Sequence, residues 1–86
     1  MPRVTLRYWA SLRAAAGRTE EVVEAGTLAD ALAAARRANV TRPRFSTVLD
    51  TCSVVVDGGP VGRREHAAIS LDDGSVVELL PPFAGG

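Results

Sequence analysis

Few residues in the sequence could act as a nucleophile, a base or a metal ligand. Cys52 is the only cysteine, and the only histidine, His66, follows fourteen positions later. Cys52 begins an apolar stretch, where a free cysteine usually packs as a small hydrophobic residue. His66 has no second histidine or acidic residue at the spacing of metal ligands. We therefore expect neither nucleophilic catalysis nor a metal site at these positions.

Two glycine-containing stretches are better explained as turns than as binding loops. Asp72-Asp73-Gly74 has the residue types of a tight turn, so its paired carboxylates are expected to shape the backbone. Gly58-Gly59-Pro60-Val61-Gly62 lacks the lysine and the strand-to-helix setting of a phosphate loop, which favours a hairpin. The sequence thus predicts no self-contained active site.

The remaining candidate is the stretch Pro81-Pro82-Phe83-Ala84-Gly85-Gly86, which follows an apolar run. Prolines cannot donate to a β-ladder, so the pair should end the strand and stiffen the segment that leaves it. Gly85 has no side chain and Ala84 only a methyl group, so this part of the chain can thread a narrow pocket. We expect the carboxylate of Gly86 to be the reactive group. The alternative is an inert, frayed end.

Composition limits the possible partners. A chain of 86 residues forms one domain, and its ten basic and ten acidic side chains cancel, which argues against nucleic-acid binding. All ten basic residues are arginine. A single cysteine favours a reducing compartment, and no apolar run is long enough for a signal region or a membrane span. We expect a cytoplasmic protein that does not contact membranes.

The periodicity of apolar residues predicts an α+β domain over residues 1–80, followed by an exposed tail over 81–86. Asn39 is predicted to end the main helix in the left-handed conformation. The first and last strands should be central neighbours, and one main helix should cover a mixed sheet of four to five strands, as in a β-grasp. The predicted elements are strands at 4–9, 19–24, 52–56 and 76–80, a possible short return strand at 61–64, a short helix at 10–16, a main helix from 27 and a helical turn near 45–49.

The sequence resembles the MoaD/ThiS family of ubiquitin-like sulfur carriers. The resemblance is carried by Val56-Asp57-Gly58-Gly59-Pro60-Val61, Leu71-Asp72-Asp73-Gly74-Ser75-Val76-Val77, the Pro-Pro-x-x-Gly-Gly end and Tyr8-Trp9-Ala10-Ser11-Leu12-Arg13. It is closest to MoaD, the small subunit of molybdopterin synthase. Two positions depart from the family pattern, since Ala14 stands where glutamate is common and Asp57-Gly58 stands where Asn-Gly is common.

This resemblance implies a β-grasp fold and a carrier that is no enzyme alone. An adenylating partner similar to ubiquitin-activating enzymes would use ATP to activate Gly86, which would become a thiocarboxylate; the chain itself would bind no cofactor. The tail would then enter the large subunit of molybdopterin synthase. Sulfur transfer for cysteine or thiamin synthesis, and a β-grasp interaction module with an inert tail, remain as alternatives.

Three residues are candidates for contact with such partners. Phe83 and Pro82 lie beyond the last predicted strand, where the domain offers an aromatic ring little to pack on. Arg13 lies on the predicted short helix and could meet an acidic surface, although an exposed helix arginine is usually only solvated.

Overall fold

The computed structural model describes residues 1–82. Within this range the chain forms a mixed sheet with helices, which confirms the predicted α+β class. The strands are β1 (Arg3–Tyr8), β2 (Glu20–Glu24), β3 (Ser53–Val56), β4 (Gly59–Pro60) and β5 (Val76–Leu80); the helices are α1 (Ala10–Ala16), α2 (Leu28–Ala38) and α3 (Phe45–Leu49), with a single 3-10 turn at His66–Ala68.

The strand order of the sheet is β2-β1-β5-β3-β4. β1 and β5 are parallel neighbours, with Thr5 opposite Val76 and Tyr8 opposite Leu79, whereas the other pairs are antiparallel. The prediction that the first and last strands are central and adjacent is therefore confirmed. It follows from their alternation, since Val4, Leu6 and Val77 point to one face and are fully buried there.

Helix α2 covers this apolar face. The Thr27 hydroxyl accepts a hydrogen bond from the backbone N–H of Asp30 at 3.1 Å, which fixes the start of the helix as its sequence predicts. Leu28, Ala31 and Ala35 repeat at three- and four-residue steps and are completely buried. Small side chains in this stripe let the helix lie close to the sheet.

The predicted left-handed terminator at Asn39 is wrong. Asn39 has φ of −117° and ends α2 through its side chain, because Nδ2 donates to the carbonyl of Ala35 at 2.9 Å and to Oε1 of Glu21 at 2.7 Å. A side-chain bond to a strand residue thus replaces the backbone turn that asparagine often makes. This bond ties the end of α2 to the edge strand β2.

The predicted hairpin after β3 is confirmed, but its return strand is misplaced. Asp57 and Gly58 have φ of +48° and +83°, as a two-residue turn requires, and the return strand is Gly59–Pro60 rather than 61–64. The N–H of Val61 still donates to the carbonyl of Val54 in β3 at 3.0 Å, and the Val61 side chain lies in the core, where it is only 3% exposed. Arg64 then folds back and donates from Nε to the carbonyl of Val61 at 3.1 Å.

Two short helices close the end of the sheet from which β5 leaves. α1 ends at Gly17, whose φ of +73° confirms the predicted glycine stop. α3 buries Phe45 and Leu49, and the Phe45 ring meets the Tyr8 ring edge to face at a centroid distance of 5.4 Å. These contacts bind α1, α3 and β1 into one packed unit beside the last residues of β5.

Candidate functional site at the end of the last strand

The chain remains paired in the sheet through Leu80, the last residue of β5, and leaves the ladder after it. Leu79 lies opposite Tyr8 on one side and Val54 on the other, and its carbonyl also accepts the N–H of Trp9 at 3.3 Å. Pro81 and Pro82 have no N–H to donate and belong to no strand, which confirms that the prolines end β5. The segment that follows therefore starts from a fixed point in the middle of the sheet.

A small polar group surrounds this point on the open face of the sheet. Trp9 is 39% exposed, and its Nε1 donates to Oε2 of Glu78 at 3.2 Å. Nη1 of Arg7 lies 3.9 Å from the same carboxylate oxygen, while Nε of Arg7 lies 3.6 Å from Oε2 of Glu20. We call Arg7, Trp9, Glu78, Leu80 and Pro81 the tail base. Its charges are paired with each other and with Glu20, and the surface that it exposes combines the indole, the half-buried Leu80 and Pro81, and part of the Arg7 side chain.

On the core side of β1, Tyr8 takes part in a polar network that is only partly buried. The Tyr8 hydroxyl donates to Oε1 of Glu21 at 2.5 Å, and Nη1 of Arg18 donates to the other carboxylate oxygen at 3.2 Å. Burial, followed by the bond to Glu21, raises the pKa of Tyr8 well above its usual range. Tyr8 consequently remains a neutral donor near neutral pH, which makes it a structural group rather than an acid or base.

Cys52 and His66 line one cleft of about 310 Å3 beside β3, a proximity that their sequence separation did not indicate. The Cys52 Sγ donates to the carbonyl of Val48 at 3.4 Å, and burial raises the pKa of the thiol to about 11. The thiol form therefore dominates near neutral pH. These observations support the expectation that Cys52 is a packing residue.

The acidic residues near the turns shape the backbone. Asp57 accepts the N–H of Val76 at 2.8 Å and the hydroxyl of Ser75 at 3.0 Å, while Asp73 accepts the N–H of Arg3 at 2.8 Å. All of these bonds lie at the opposite end of β5 from the tail base. Across residues 1–82, no three histidine, cysteine or acidic side chains are grouped so as to hold a metal ion.

The residues singled out from the sequence divide into two groups. Gly86, Gly85, Ala84 and Phe83 lie outside the described residues, so their roles stay predictions. The others are described: Pro82 is exposed after β5, and Arg13 is exposed on the last turn of α1. Within residues 1–82, Arg13 has no carboxylate within 4.0 Å; it lines a notch of about 110 Å3 together with Trp9 and Glu20. Its role in partner contact also stays a prediction.

Sequence reasoning missed Trp9 as a site residue. Trp9 directly follows Tyr8, the last residue of β1, and the bond from its N–H to the carbonyl of Leu79 places it at the point where β5 ends. The signal was available, since an aromatic residue continued the alternating pattern of a strand on its polar side. It became meaningful only once β1 and β5 were known to be parallel neighbours.

The model of the ThiS family matches residues 6–86. The chain belongs to the ThiS family. It is thus a ubiquitin-like protein of the ThiS/MoaD sulfur-carrier type, which confirms the resemblance read from its motifs. Comparison with curated protein sequences gave no match. Among residues 1–82, no helix has the length and apolar character needed to cross a bilayer.

Solved structures with the same fold come from several small modifier and carrier proteins. The small archaeal modifier protein 1 of Methanosarcina acetivorans has a TM-score of 0.80 at 22% identity, covering 100% of this chain and 98% of its own. The complex of molybdopterin-converting factor subunits 1 and 2 from Helicobacter pylori has a TM-score of 0.68 at 21% identity, and the match covers 98% of this chain and 99% of the matched chain. The BexX/CysO complex of Amycolatopsis orientalis has a TM-score of 0.75 at 19% identity, and the match covers 96% of this chain and 99% of the matched chain. These similarities establish the β-grasp fold.

Proposed function

We propose that this protein carries sulfur as a thiocarboxylate on Gly86 and serves as the small subunit of a molybdopterin synthase in molybdenum cofactor biosynthesis. One structural observation carries the proposal. The strand that precedes Gly86 is central in the sheet, so the body of the domain fixes Leu80 while Pro81 and Pro82 direct the chain away from the ladder. Family membership supplies the chemistry for which such an arrangement is suited.

The proposed reaction sequence needs a separate activating enzyme. A carboxylate is ionised at neutral pH and is a poor acyl donor. In the first step an oxygen of the Gly86 carboxylate attacks the α-phosphorus of ATP, and pyrophosphate leaves. In the second step a sulfur nucleophile at the hydrosulfide level attacks the acyl carbon, AMP leaves with the bonding electron pair, and the thiocarboxylate remains.

The part of the chain that is described contributes position and recognition. Its cysteine thiol has a raised pKa and its acidic turn residues are engaged by backbone N–H groups, so these groups are poorly suited to activate a carboxylate. The contribution of the body is to hold the root of the tail at a defined distance from a partner's pocket. Six extended residues beyond Leu80 reach about 20 Å, at about 3.3 Å each.

The open face of the sheet is the surface that we assign to the partner. It exposes Val22 to 56% and leaves Val76 half-buried near the start of β5, while the half-buried Val55 lies opposite Glu78 of the tail base. The open face thus carries aliphatic side chains at one end and Trp9 with Leu80 at the other, on either side of the paired Arg7 and Glu78, and this mixture is compatible with a protein contact surface. The subunit complex from Helicobacter pylori and the BexX/CysO complex are structures in which proteins of this fold are bound to other proteins.

Removal of Gly86 tests the reactive group. We expect the chain lacking Gly86 to keep its melting temperature but to form no acyl-adenylate with the cognate activating enzyme and ATP, as measured by mass spectrometry and pyrophosphate exchange. The variant Gly86→Ala is the matched control, because it retains the length and the carboxylate and adds one methyl group. Unchanged adenylation of the shortened chain would exclude the carrier function.

The sulfur acceptor is identified by a second measurement. Protein isolated from its native host should carry an oxygen-to-sulfur exchange, detected as intact mass, and should co-purify with a large subunit that binds a pterin. Co-purification with a sulfhydrylase instead would replace the molybdopterin assignment by cysteine synthesis, while leaving the carrier chemistry in place.

A further inference from the structure

A second surface lies next to the tail base and has no role in the proposed chemistry. It is a cleft of about 260 Å3 between α1 and the segment that joins α2 to α3. Two arginines and a serine provide its polar groups, and its lining contains no acidic residue. The lining residues are Ser11, Ala14, Ala15, Arg42, Pro43 and Arg44. We call it the arginine cleft.

The positive charge of the arginine cleft is not neutralised within residues 1–82. Neither Arg42 nor Arg44 has a carboxylate within 4.0 Å among these residues, and both are exposed. Arg36, only a few residues earlier in the chain, differs because its Nη2 lies 2.7 Å from Oδ1 of Asp50. Arg37, like Arg42 and Arg44, has no carboxylate within 4.0 Å among residues 1–82, so what distinguishes Arg42 and Arg44 is that both line the same cleft.

The backbone that presents the two arginines is fixed before any ligand arrives. The N–H of Arg42 donates to the carbonyl of Asn39 at 2.9 Å, and its carbonyl accepts the N–H of Phe45 at 3.1 Å. Phe45 is 1% exposed and anchors the segment in the core. The residue between the two arginines is Pro43, whose ring fixes its own φ. A surface held in this way loses little backbone freedom when it binds.

The guanidinium of Arg42 is also positioned. A Cβ atom placed on Gly17 would lie 3.0 Å from Nη2, 3.1 Å from Cζ and 3.2 Å from Nη1 of Arg42. Three nearly equal distances mean that the flat side of the guanidinium covers Gly17. The N–H groups lie in the plane of the group, so their edge remains free to form the paired hydrogen bonds that a carboxylate accepts.

The arginine cleft is lined by α1, the helix that starts at the end of the domain where the tail begins. α1 starts at Ala10, directly after Trp9, whose N–H is bonded to Leu79. A partner that grips the tail therefore lies over this end of the sheet and beside α1. The partner itself is part of the proposed function, and the next inference rests on it.

We propose that the arginine cleft binds an acidic segment of the activating enzyme that receives the tail for adenylation. Carboxylates of that segment pair with Arg42 and Arg44, while its methylene groups lie on Ala14, Ala15 and the Pro43 ring. The cleft is less suited to a free phosphate. Its wall on α1 includes the last turn, where the backbone N–H groups are already bonded within the helix, whereas phosphate sites usually offer a cluster of free backbone N–H groups.

Titration of the full-length, isotope-labelled chain by NMR tests the cleft without the partner. The probes are a blocked peptide of alternating glutamate and alanine, the same peptide with glutamine, and inorganic phosphate. We expect saturable shifts at the Nε–H signals of Arg42 and Arg44 and at the amide of Ala14 with the glutamate peptide alone. Equal binding of the glutamine peptide or of phosphate would overturn the proposal.

Three single variants, each changing one arginine to glutamine, separate this cleft from general charge effects. Arg42→Gln and Arg44→Gln should each weaken binding of the glutamate peptide about threefold to fivefold, as expected for exposed charge pairs. Arg63→Gln is the matched control; Arg63 is exposed in the segment after β4 and should be without effect. Equal losses in all three variants would show that only net charge matters, which contradicts the proposal.

Adenylation kinetics connect the cleft to the partner. The double variant R42E/R44E should raise the KM for the carrier about tenfold with little change in kcat, and added salt should narrow the difference from the wild type. An unchanged KM would contradict a role in partner binding. If the wild-type chain is not adenylated at all, the carrier function fails, and the peptide titration still decides independently whether the cleft binds carboxylates.

Discussion

At its start, strand β5 is held by polar side chains. Asp57 accepts hydrogen bonds from the N–H of Val76 and the hydroxyl of Ser75, and Asp73 accepts the N–H of Arg3 on the neighbouring strand. At its end, the strand gives way to two prolines, and the nearby arginine cleft carries charges that have no carboxylate partner within residues 1–82. At the start of β5 the polar groups form hydrogen bonds with one another, whereas near its end there are arginine side chains that can bind another molecule.

This difference shows how a small domain can serve as a carrier. Because the start of β5 is satisfied internally, its contribution is to stability, and changes there should be felt in the free energy of unfolding. Since the other end is left open, changes there should be felt in binding. Three substitutions test this division, in order of their expected effect on unfolding.

The largest effect on the free energy of unfolding is expected at the start of β5. Asp57→Ala removes a charged acceptor of two hydrogen bonds and places alanine at a φ of +48°, so the free energy of unfolding should fall by about 2–3 kcal/mol. Asp57→Asn is the control, because asparagine keeps one acceptor and tolerates this backbone conformation. Urea denaturation measures both. A loss below 0.5 kcal/mol for alanine, on the order of an ordinary surface change, would contradict the division.

The partly buried network around Tyr8 should give an intermediate effect. Tyr8→Phe removes the donor to Glu21 and should cost about 1–2 kcal/mol near neutral pH. The raised pKa of Tyr8 means that the folded chain keeps this proton after the unfolded chain has lost it. Stability is therefore fully present below pH 10.0, the ordinary value, and falls as the pH rises above it, by up to about 1.4 kcal/mol per pH unit.

The control for this pH dependence is Cys52→Ala, since the thiol pKa is raised as well and acts in the same direction from about pH 9.0 upward. Urea denaturation between pH 8 and 11, about the range of these two groups, should show a shallower decline for Tyr8→Phe in the Cys52→Ala background. Parallel curves with and without the Tyr8 hydroxyl would show that its proton is not held by the fold.

The smallest effect on unfolding is expected beyond β5. Phe83→Ala should leave the melting temperature unchanged within about 1 °C, because surface changes alter stability by less than about 0.5 kcal/mol. Affinity for the tail-receiving partner, measured by calorimetry, should fall about tenfold if the ring is an interface anchor. A large loss of thermal stability would place Phe83 in the core and remove it from the partner surface.

The fold was largely predictable because its local signals agree with its packing. The cap at Thr27, the stripe through Leu28 and Ala35, and the turn at Asp57-Gly58 each predict the element that forms there. Alternation in β1 and β5 was strong enough to place both strands in the middle of the sheet. Such agreement between local preference and global fold is what makes a sequence readable.

The errors arose where a distant contact overrides a local preference. Asn39 does not adopt the left-handed conformation because its amide group reaches Glu21, eighteen residues away. The return strand ends at Pro60, and the next residue, Val61, places its side chain in the core. Neither the bond from Asn39 to Glu21 nor the burial of Val61 can be inferred from neighbouring residues.

The candidate site was predictable only in part for the same reason. The tail was visible as a motif, but Trp9 and the arginine cleft depend on which elements meet at the end of the sheet. Ser11 and Arg42 line one cleft although thirty residues separate them, and no spacing rule connects them. The position of each was set by the packing of α1 against α3.

The parallel pairing of β1 with β5 has a further consequence for how the protein is made. It joins Thr5 to Val76, so the middle of the sheet can close only after nearly all of the described chain has been synthesised. Contacts between residues so far apart are slow to form, and nascent chains that lack them leave apolar strand faces uncovered. A chain that ends before β5 would therefore lack the pairing that completes the sheet and would be open to proteolysis.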